Sequence, residues 1–240
     1  MEASEEFLPI VWSEPMFSKI LFEIIEWVIR GISGGLGQRV RRAYYARRLC
    51  YCGSGVKIGI GVQFIGVEHI TLEDDVWIDD YVILIAGSPS SFGNSKVIFK
   101  DNPQFKGSKG SLTIGPYVHI APFCLVNVFG AGGVIGAHSG MSSGAKIYAT
   151  SNHYVDKKNP SQILSNNPKS KSFPAILFIS PVILGENCFV SLNSIILSCS
   201  VGKYSFIRPN SVVAKNIPIN SVVSGNPGKV LGKRFEDVQE

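Results

Sequence analysis

Charge is scarce in this chain. Charged residues hold 17% of its 240 positions, against about 25% in an average soluble domain, and no acidic or basic bias runs along the whole length. The formal net charge is +5, and one segment carrying Arg39, Arg41, Arg42, Arg47 and Arg48 accounts for all of it. Such a patch is local, which argues against a nucleic-acid-binding surface spread over the fold. Paired cysteine is missing too: Cys50, Cys52, Cys124, Cys188 and Cys199 are odd in number and follow neither a disulfide framework nor a zinc-site spacing. Reduced thiols in a cytoplasmic protein are expected. Long hydrophobic runs are absent as well. The most apolar stretch, ILFEIIEWVIRGI, is interrupted by Glu23, Glu26 and Arg30 and falls short of the roughly 20 apolar residues of a membrane span. The first residues are acidic and offer no basic n-region, so a cleavable signal peptide is not expected.

Glycine is plentiful at 25 residues, and a chain rich in glycine and poor in charge needs many tight turns. Its length suits one or two domains with a core of their own. A repeat supplies the turns. Pairs made of a small or apolar residue, any residue, then Ile, Leu, Val or Met run from Val76/Ile78 to Val82/Leu84 and resume as Leu112/Ile114, Val118/Ile120 and Cys124/Val126. After a slip at FGAGG (129–133) they continue as Gly133/Ile135, Ser139/Met141 and Ala145/Ile147, then as Val182/Leu184, Cys188/Val190 and Ser194/Ile196. One step of five leads to Cys199/Val201, Ser205/Ile207 and Ser211/Val213; the step is six nearly everywhere else. Each hexad reads as a short strand plus a corner, and three of them close a triangular coil of about 18 residues, with coils stacked about 4.8 Å apart by parallel hydrogen bonding. The residue after the aliphatic one is often acidic or Gly, as at Gly115, Gly136, Gly185 and Gly202. That suits a turn needing an unusual φ, or a side chain bonding its own backbone. Cys124, Cys188 and Cys199 share the first phase of the repeat with Val, Ser and Ala, and read as small core fillers.

These residues resemble the hexapeptide-repeat acyltransferases over roughly residues 56–232. The most specific piece is the ending SFIRPNSVVAKNIPINSVVSGNPGKVLGKRF, whose SGNPGKV is similar to the exit from the final coil of sugar O-acetyltransferases. The resemblance implies an all-β solenoid, a left-handed parallel β-helix. The left hand comes from the resemblance alone, because crossover connections are otherwise right-handed. It also implies a homotrimer with acetyl-CoA as cosubstrate. The expected units are a helical cap over 1–52, a β-helix acyltransferase domain over 53–228 and a C-terminal tail over 229–240.

Two segments refuse the period, 86–111 and 150–180. Both are rich in Gly, Ser, Asn, Pro and Lys and read as long loops leaving the solenoid. The second begins SNH directly after an intact hexad. In the acyltransferases this chain resembles, a loop leaves the helix here with the catalytic histidine, and His153 occupies the matching position. The chemistry supplies a reason: an alcohol is a weak nucleophile toward a thioester, and a neutral imidazole can take its proton as it attacks. A backbone N–H would stabilise the oxyanion, and its identity is open, as is the choice of Asn152 or Asp156 to orient the imidazole. No motif sets a Ser or Cys beside His153, so a ternary complex fits better than a covalent acyl-enzyme. His69, His119 and His138 lie on or beside regular hexads and read as solvated face or corner residues. No metal is expected, since carbonic anhydrases on the same helix hold zinc with histidines much closer together than His138 and His153.

Acetyl-CoA carries a 3′-phosphate and a pyrophosphate, so its site should combine backbone donors with Lys or Arg. The resemblance places its arm in a groove between subunits along the late coils, at Leu192, Pro209, Ala214 and Lys215, with Lys229, Lys233 or Arg234 for the phosphates. The Asn that small-sugar acetyltransferases use one coil before the histidine is matched here by Pro122, so acceptor recognition does not transfer. Asn127 and Asn152 are the nearby polar substitutes.

Residues 17–32 set apolar side chains at spacings of three and four, with Glu23, Glu26 and Arg30 between them, which predicts an amphipathic helix. The basic, aromatic run GQRVRRAYYARRLCYCG follows. The segment suits a cap on the open end of the solenoid and a peripheral membrane contact through residues 17–48. The expected protein is a cytoplasmic enzyme, peripheral on the inner face of the membrane. It moves an acetyl group to a sugar hydroxyl in surface polysaccharide (capsule, exopolysaccharide or O-antigen) biosynthesis, on a sugar or lipid-linked glycan. Amino-sugar N-acetylation and a non-catalytic β-helix are the alternatives. The sugar, its hydroxyl, an acyl donor slightly longer than acetyl and the role of 86–111 stay open.

Overall fold

The computed structural model describes residues 14–89, 95–152 and 176–236. Each hexad becomes one side of a three-sided coil. The first face stacks Tyr51–Cys52, Ile70–Leu72, Leu112–Ile114, Gly133–Ile135, Val182–Leu184 and Ser200–Val201. The second stacks Lys57–Ile58, Trp77–Ile78, His119–Ile120, Gly140–Met141, Phe189–Val190, Phe206–Ile207 and Ser221–Ser224. The third stacks Gln63–Ile65, Ile83–Ile85, Leu125–Asn127, Lys146–Tyr148, Ile195–Leu197 and Val212–Val213. Neighbours within each face are parallel, and the chain visits the three faces in rotation. On the second face the register advances from Lys57 to Trp77, from His119 to Gly140 and from Phe189 to Phe206, steps of 20, 21 and 17 residues.

The aliphatic pairs line the interior. Ile78, Leu84, Ile114, Ile120, Val126, Val190, Ile196 and Ile207 are completely buried, each contributing about 1.5–3 kcal/mol of apolar burial. The same phase extends upstream of Val76, through Val56/Ile58, Val62/Phe64 and Ile70/Leu72, all of them buried. Where the first residue of a pair is serine, its buried hydroxyl joins one coil to the next. Ser139 Oγ donates to the Gly185 carbonyl (2.8 Å) and accepts from the Cys188 N–H (3.0 Å). Ser194 does the same with Arg208 and Ser211, and Ser205 with Pro218 and Ser221.

The corners correct one expectation. Gly115, Gly136, Gly185 and Gly202 do not carry positive φ; that conformation falls two residues later, on Tyr117, His138, Asn187 and Tyr204, with φ of 58°, 57°, 54° and 64°. The glycines are there because the next coil passes too close for a side chain. A Cβ at Gly136, Gly185 or Gly202 would lie 2.5 Å from the backbone nitrogen of Glu186, Lys203 or Ile219, respectively. Asp79, directly after Ile78, bonds His119 on the next coil through its Oδ2 (2.8 Å), and the acids one position later also reach a neighbouring coil. Asp74 Oδ1 accepts from the Ser54 N–H (2.6 Å) and Asp80 Oδ1 from the Ile60 N–H (2.7 Å).

The segments 86–111 and 150–180 leave the coil, yet they are not wholly loops. Lys96–Phe99 pairs in parallel with Ile176–Ile179, which pairs antiparallel with Thr150–Asn152. A fourth, three-stranded sheet results, because strands that leave the coil lose their ladder partners and regain them from one another. Asn102, farther along the first excursion, reaches back to the coil and donates to Ser200 Oγ (2.8 Å) and the Pro181 carbonyl (3.3 Å).

The amino-terminal region forms two helices, α1 (Glu14–Gly31) and α2 (Gly34–Tyr45). Helix α2 packs on the first turn of the coil through Gly37, Arg41 and Tyr45. Tyr45 meets the Phe64 ring at 4.6 Å, and Arg41 Nε donates to the Ile58 carbonyl (2.9 Å). Arg41 also donates to the Ile32 carbonyl. Arg41 is thus buried, and only four of the five arginines of the basic patch reach the surface. At the other end, Lys229–Lys233 folds back antiparallel on Ser221–Ser224, so the tail begins as a strand.

Candidate active site

His153 and Asp156 lie outside the described residues, but the strand that leads to His153 is fixed. Ala149 N–H donates to the Asn127 carbonyl (2.8 Å), and Thr150 Oγ1 donates to the Phe129 carbonyl (2.7 Å). Thr150, Ser151 and Asn152 then face Ile179, Phe178 and Leu177 across an antiparallel pair. The chain enters and leaves 153–175 through one two-stranded neck, and His153 is the first residue beyond it.

Asn127 sits beside the root of this neck, paired with Tyr148 across the third face. Its side chain is half-buried, and its Oδ1 accepts from the Phe129 N–H (3.1 Å), which leaves the amide NH2 for other partners. Asn152 stands at the end of the neck by its backbone; its side chain lies outside the described set. Pro122 is on a corner one coil earlier, where its carbonyl accepts from Gly144 N–H (3.1 Å).

The residues assigned to the coenzyme do not form one cluster within a single chain. Leu192 and Pro209 stack on adjacent coils at the corner between the second and third faces, joined by Asn210 N–H to the Leu192 carbonyl (2.9 Å), and both are exposed. Ala214 and Lys215 follow the last strand of the third face, also exposed. Lys229 begins the final strand opposite Ser224, and the Gly228 N–H before it bonds the Val212 carbonyl (2.7 Å). Lys233 lies at the far end of that strand, opposite Ser221. Arg234 is already engaged: its Nη1 donates to the Asn187 carbonyl (2.7 Å) and contacts that of Ser205 (3.4 Å). Lys233 and Arg234 therefore serve the corner between the first and second faces, away from Leu192 and Pro209.

No protein-family model matches the chain. It is 25% identical over 190 residues to the dTDP-4-amino-4,6-dideoxy-D-glucose acyltransferase of Escherichia coli, covering 78% of this chain and 84% of that one. It is 27% identical over 146 residues to WbbJ of Escherichia coli K12, named for lipopolysaccharide biosynthesis O-acetyl transfer, covering 60% of this chain and 63% of that one. Its homologues are hexapeptide-repeat acyltransferases. The hexapeptide-repeat architecture is matched in three dimensions by AntD, an N-acyltransferase from Bacillus cereus solved with dTDP and 3-hydroxybutyryl-CoA. The TM-score is 0.64 at 18% identity, covering 81% of this chain and 88% of that one, a likeness of fold.

In this hexapeptide-repeat coil the other candidate groups take structural places. Cys124, Cys188 and Cys199 are buried, and burial pushes their thiols up to about 11, about 11 and about 12. None of the three is a thiolate at neutral pH. His119 bonds Asp79 Oδ2 (2.8 Å) on the second face, His138 stacks on Tyr117 at a corner (4.9 Å), and His69 lies 3.6 Å from Glu68. Among the described residues no group of three or more His, Cys, Asp or Glu is placed to hold a metal ion. One feature escaped sequence reasoning: a cavity of about 460 Å³ on the first face, between the first excursion and the last coil, lined by Gln104, Ser200, Lys203 and Asn216 among others. The only sequence signal for it is the polar content of 86–111.

Proposed function

We propose that this protein transfers an acetyl group from acetyl-CoA to a sugar hydroxyl in surface polysaccharide synthesis, as a homotrimer of left-handed β-helices in the cytoplasm. In this reading His153 is the general base. Its neutral imidazole removes the hydroxyl proton as the sugar oxygen attacks the thioester carbonyl, and returns a proton to the departing coenzyme A thiolate. The observation that carries the reading is the paired neck, Thr150–Asn152 against Ile176–Ile179, anchored to the third face at Asn127. A general base has to be held in place, and the residue before His153 is held by antiparallel pairing with Leu177.

Leu192, Pro209, Ala214 and Lys215 form the proposed wall for the pantetheine arm, and Lys229 and Lys233 of neighbouring subunits supply the phosphate contacts. Distribution of these residues over the three corners of the coil supports a site shared between copies. Asn127 and Asn152 are the proposed acceptor contacts. The resemblance to WbbJ supports the hydroxyl acceptor. The resemblance to the dTDP-amino-sugar acyltransferase, which spans more of both chains, favours a second reading in which a sugar-nucleotide amine is acylated on the same scaffold.

His153→Ala should lower acetyl transfer by about 10²-fold or more, the usual worth of a general base, with an unchanged oligomeric state and unfolding midpoint. Turnover equal to the wild type with a glycan mixture and with amino-sugar nucleotides would refute the assignment. Mass spectrometry of the product, followed by mild base, separates the two readings: an ester is released and an amide survives.

A further inference from the structure

Helix α1 presents an apolar stripe to solvent and hydrogen-bonds to the protein through Glu26 and Arg30. From Ile20 onward, its hydrogen bonds to the rest of the chain run through Glu26, which accepts from Tyr45 Oη (3.1 Å), and Arg30, whose carbonyl accepts from the Gly61 N–H (3.0 Å), with Ile20 and Ile29 half-buried beside them. Leu21, Ile24, Ile25 and Val28 recur at spacings of three and four, the stripe that a helix of a globular protein buries against its core. Here all four are exposed, Ile24 at 53%, and Trp27 beside them is 70% exposed.

The surroundings are cationic. Residues 20–50 hold six arginines, Arg30, Arg39, Arg41, Arg42, Arg47 and Arg48, against the two acids Glu23 and Glu26, with Arg41 buried. Arg48 borders the exposed helix directly, its guanidinium 5.4 Å over the Phe22 ring and 4.1 Å over that of Tyr44. At the foot of α1 a cavity of about 350 Å³ is lined by Trp27, Arg30, Gln63 and Tyr81, among others. Indole, phenol and guanidinium are the groups that favour a headgroup layer. Among the described residues no helix is long and apolar enough to cross a membrane.

We propose that α1 docks lengthwise on an anionic phospholipid bilayer. Leu21, Ile24, Ile25 and Val28 enter the acyl boundary, Trp27 sits at the interface, and Arg30, Arg39, Arg47 and Arg48 meet the phosphates. Charge selects this occupant over a second copy, since pairing two α1 helices would bring two arginine-rich patches together without acids to match them. The proposal stands independently of the acetyl-transfer reading.

The full chain should sediment with vesicles of phosphatidylcholine and phosphatidylglycerol, and poorly with phosphatidylcholine alone. An Ile24→Glu/Val28→Glu variant, altered only at exposed positions, should bind at least roughly tenfold less, and Arg39→Glu/Arg47→Glu should lose most of the preference for the anionic lipid. Tryptophan emission should shift blue on binding in a Trp12→Phe/Trp77→Phe variant, whose single tryptophan is Trp27, a readout that needs no helix-face charge variant. Equal sedimentation of wild type and the glutamate variant, or equal binding to both vesicles, would overturn the proposal. So would a glutamate variant that elutes as a smaller particle without lipid, because the stripe would then belong to self-association. Transfer to a soluble acceptor by that variant should match the wild type, which separates this test from the catalytic one.

Discussion

The first position of each hexad accepts serine, cysteine, alanine or valine because it sits at the start of each buried side, where the next coil offers a carbonyl. Serine uses its hydroxyl there as both donor and acceptor, as Ser139, Ser194 and Ser205 do. Cysteine makes the weaker version, Cys124 Sγ to the Ser142 carbonyl and Cys188 Sγ to that of Gly202, both 3.1 Å. The thiols carry a pH signature. In the unfolded chain they ionise near 9.0, whereas burial raises Cys124 and Cys188 to about 11 and Cys199 to about 12. Over that interval the native state binds more protons than the unfolded one, so the thiol contribution to stability is complete below 9.0 and is lost as pH rises toward 11 and 12. Urea midpoints measured across the interval should fall, and should fall less in Cys188→Ala than in the wild type. In the folded protein a thiol reagent should label exposed Cys50 first and spare these three.

At the scale of elements, close stacking is what the corner glycines permit. Gly185→Ala would set a Cβ 2.5 Å from the Lys203 nitrogen and 2.8 Å from its Cα, both backbone atoms that cannot move aside cheaply. A loss of about 2 kcal/mol or more is expected from such overpacking, against a change within about 0.5 kcal/mol for Gly232→Ala, whose Cβ would meet nothing within 4 Å. Chemical denaturation of the two variants checks the pair. The hexads were legible because each places an aliphatic side chain in the core by a purely local rule. The corner mechanism was not, because a clash with the next coil involves a residue well outside the hexad, as Lys203 is for Gly185 and Glu186 for Gly136. The fourth sheet was hidden for the same reason: KVIF and ILFI read as short apolar runs, but Lys96 and Ile176 meet only in three dimensions. The neck that carries His153 is therefore half legible, its start at SNH visible and its partner strand not.

For the molecule as a whole, the repeat told how the coil is built and left its ends to be found. The 3.6-residue pattern of α1 was plain, but a pattern does not reveal which side is covered, and here the stripe of Leu21, Ile24, Ile25 and Val28 is left open. Arg41 looked like one more surface cation. Its burial depends on the Ile58 and Ile32 carbonyls, whose availability no composition shows. Burial draws its pKa down, Asp80 and Tyr45 draw it up, and it stays a cation. Arg41→Met should leave those carbonyls unpaired, lowering stability by about 2–4 kcal/mol. Faster hydrogen exchange over Gly34–Tyr45, with the late coils still protected, would show that the loss is confined to that end.

A stack of parallel strands has no intrinsic length. Each terminal layer exposes a ladder of free amides and carbonyls that another chain could extend, the growth mode of a fibril. Here α2 lies over the first layer, and Lys229–Lys233 closes the second face of the last one in the opposite direction, with a lysine at either end of the strand. A reversed, charged strand is a poor template for another parallel coil. Lys229–Lys233 thus works as a terminator of the second face, where the parallel stack meets a strand of opposite direction.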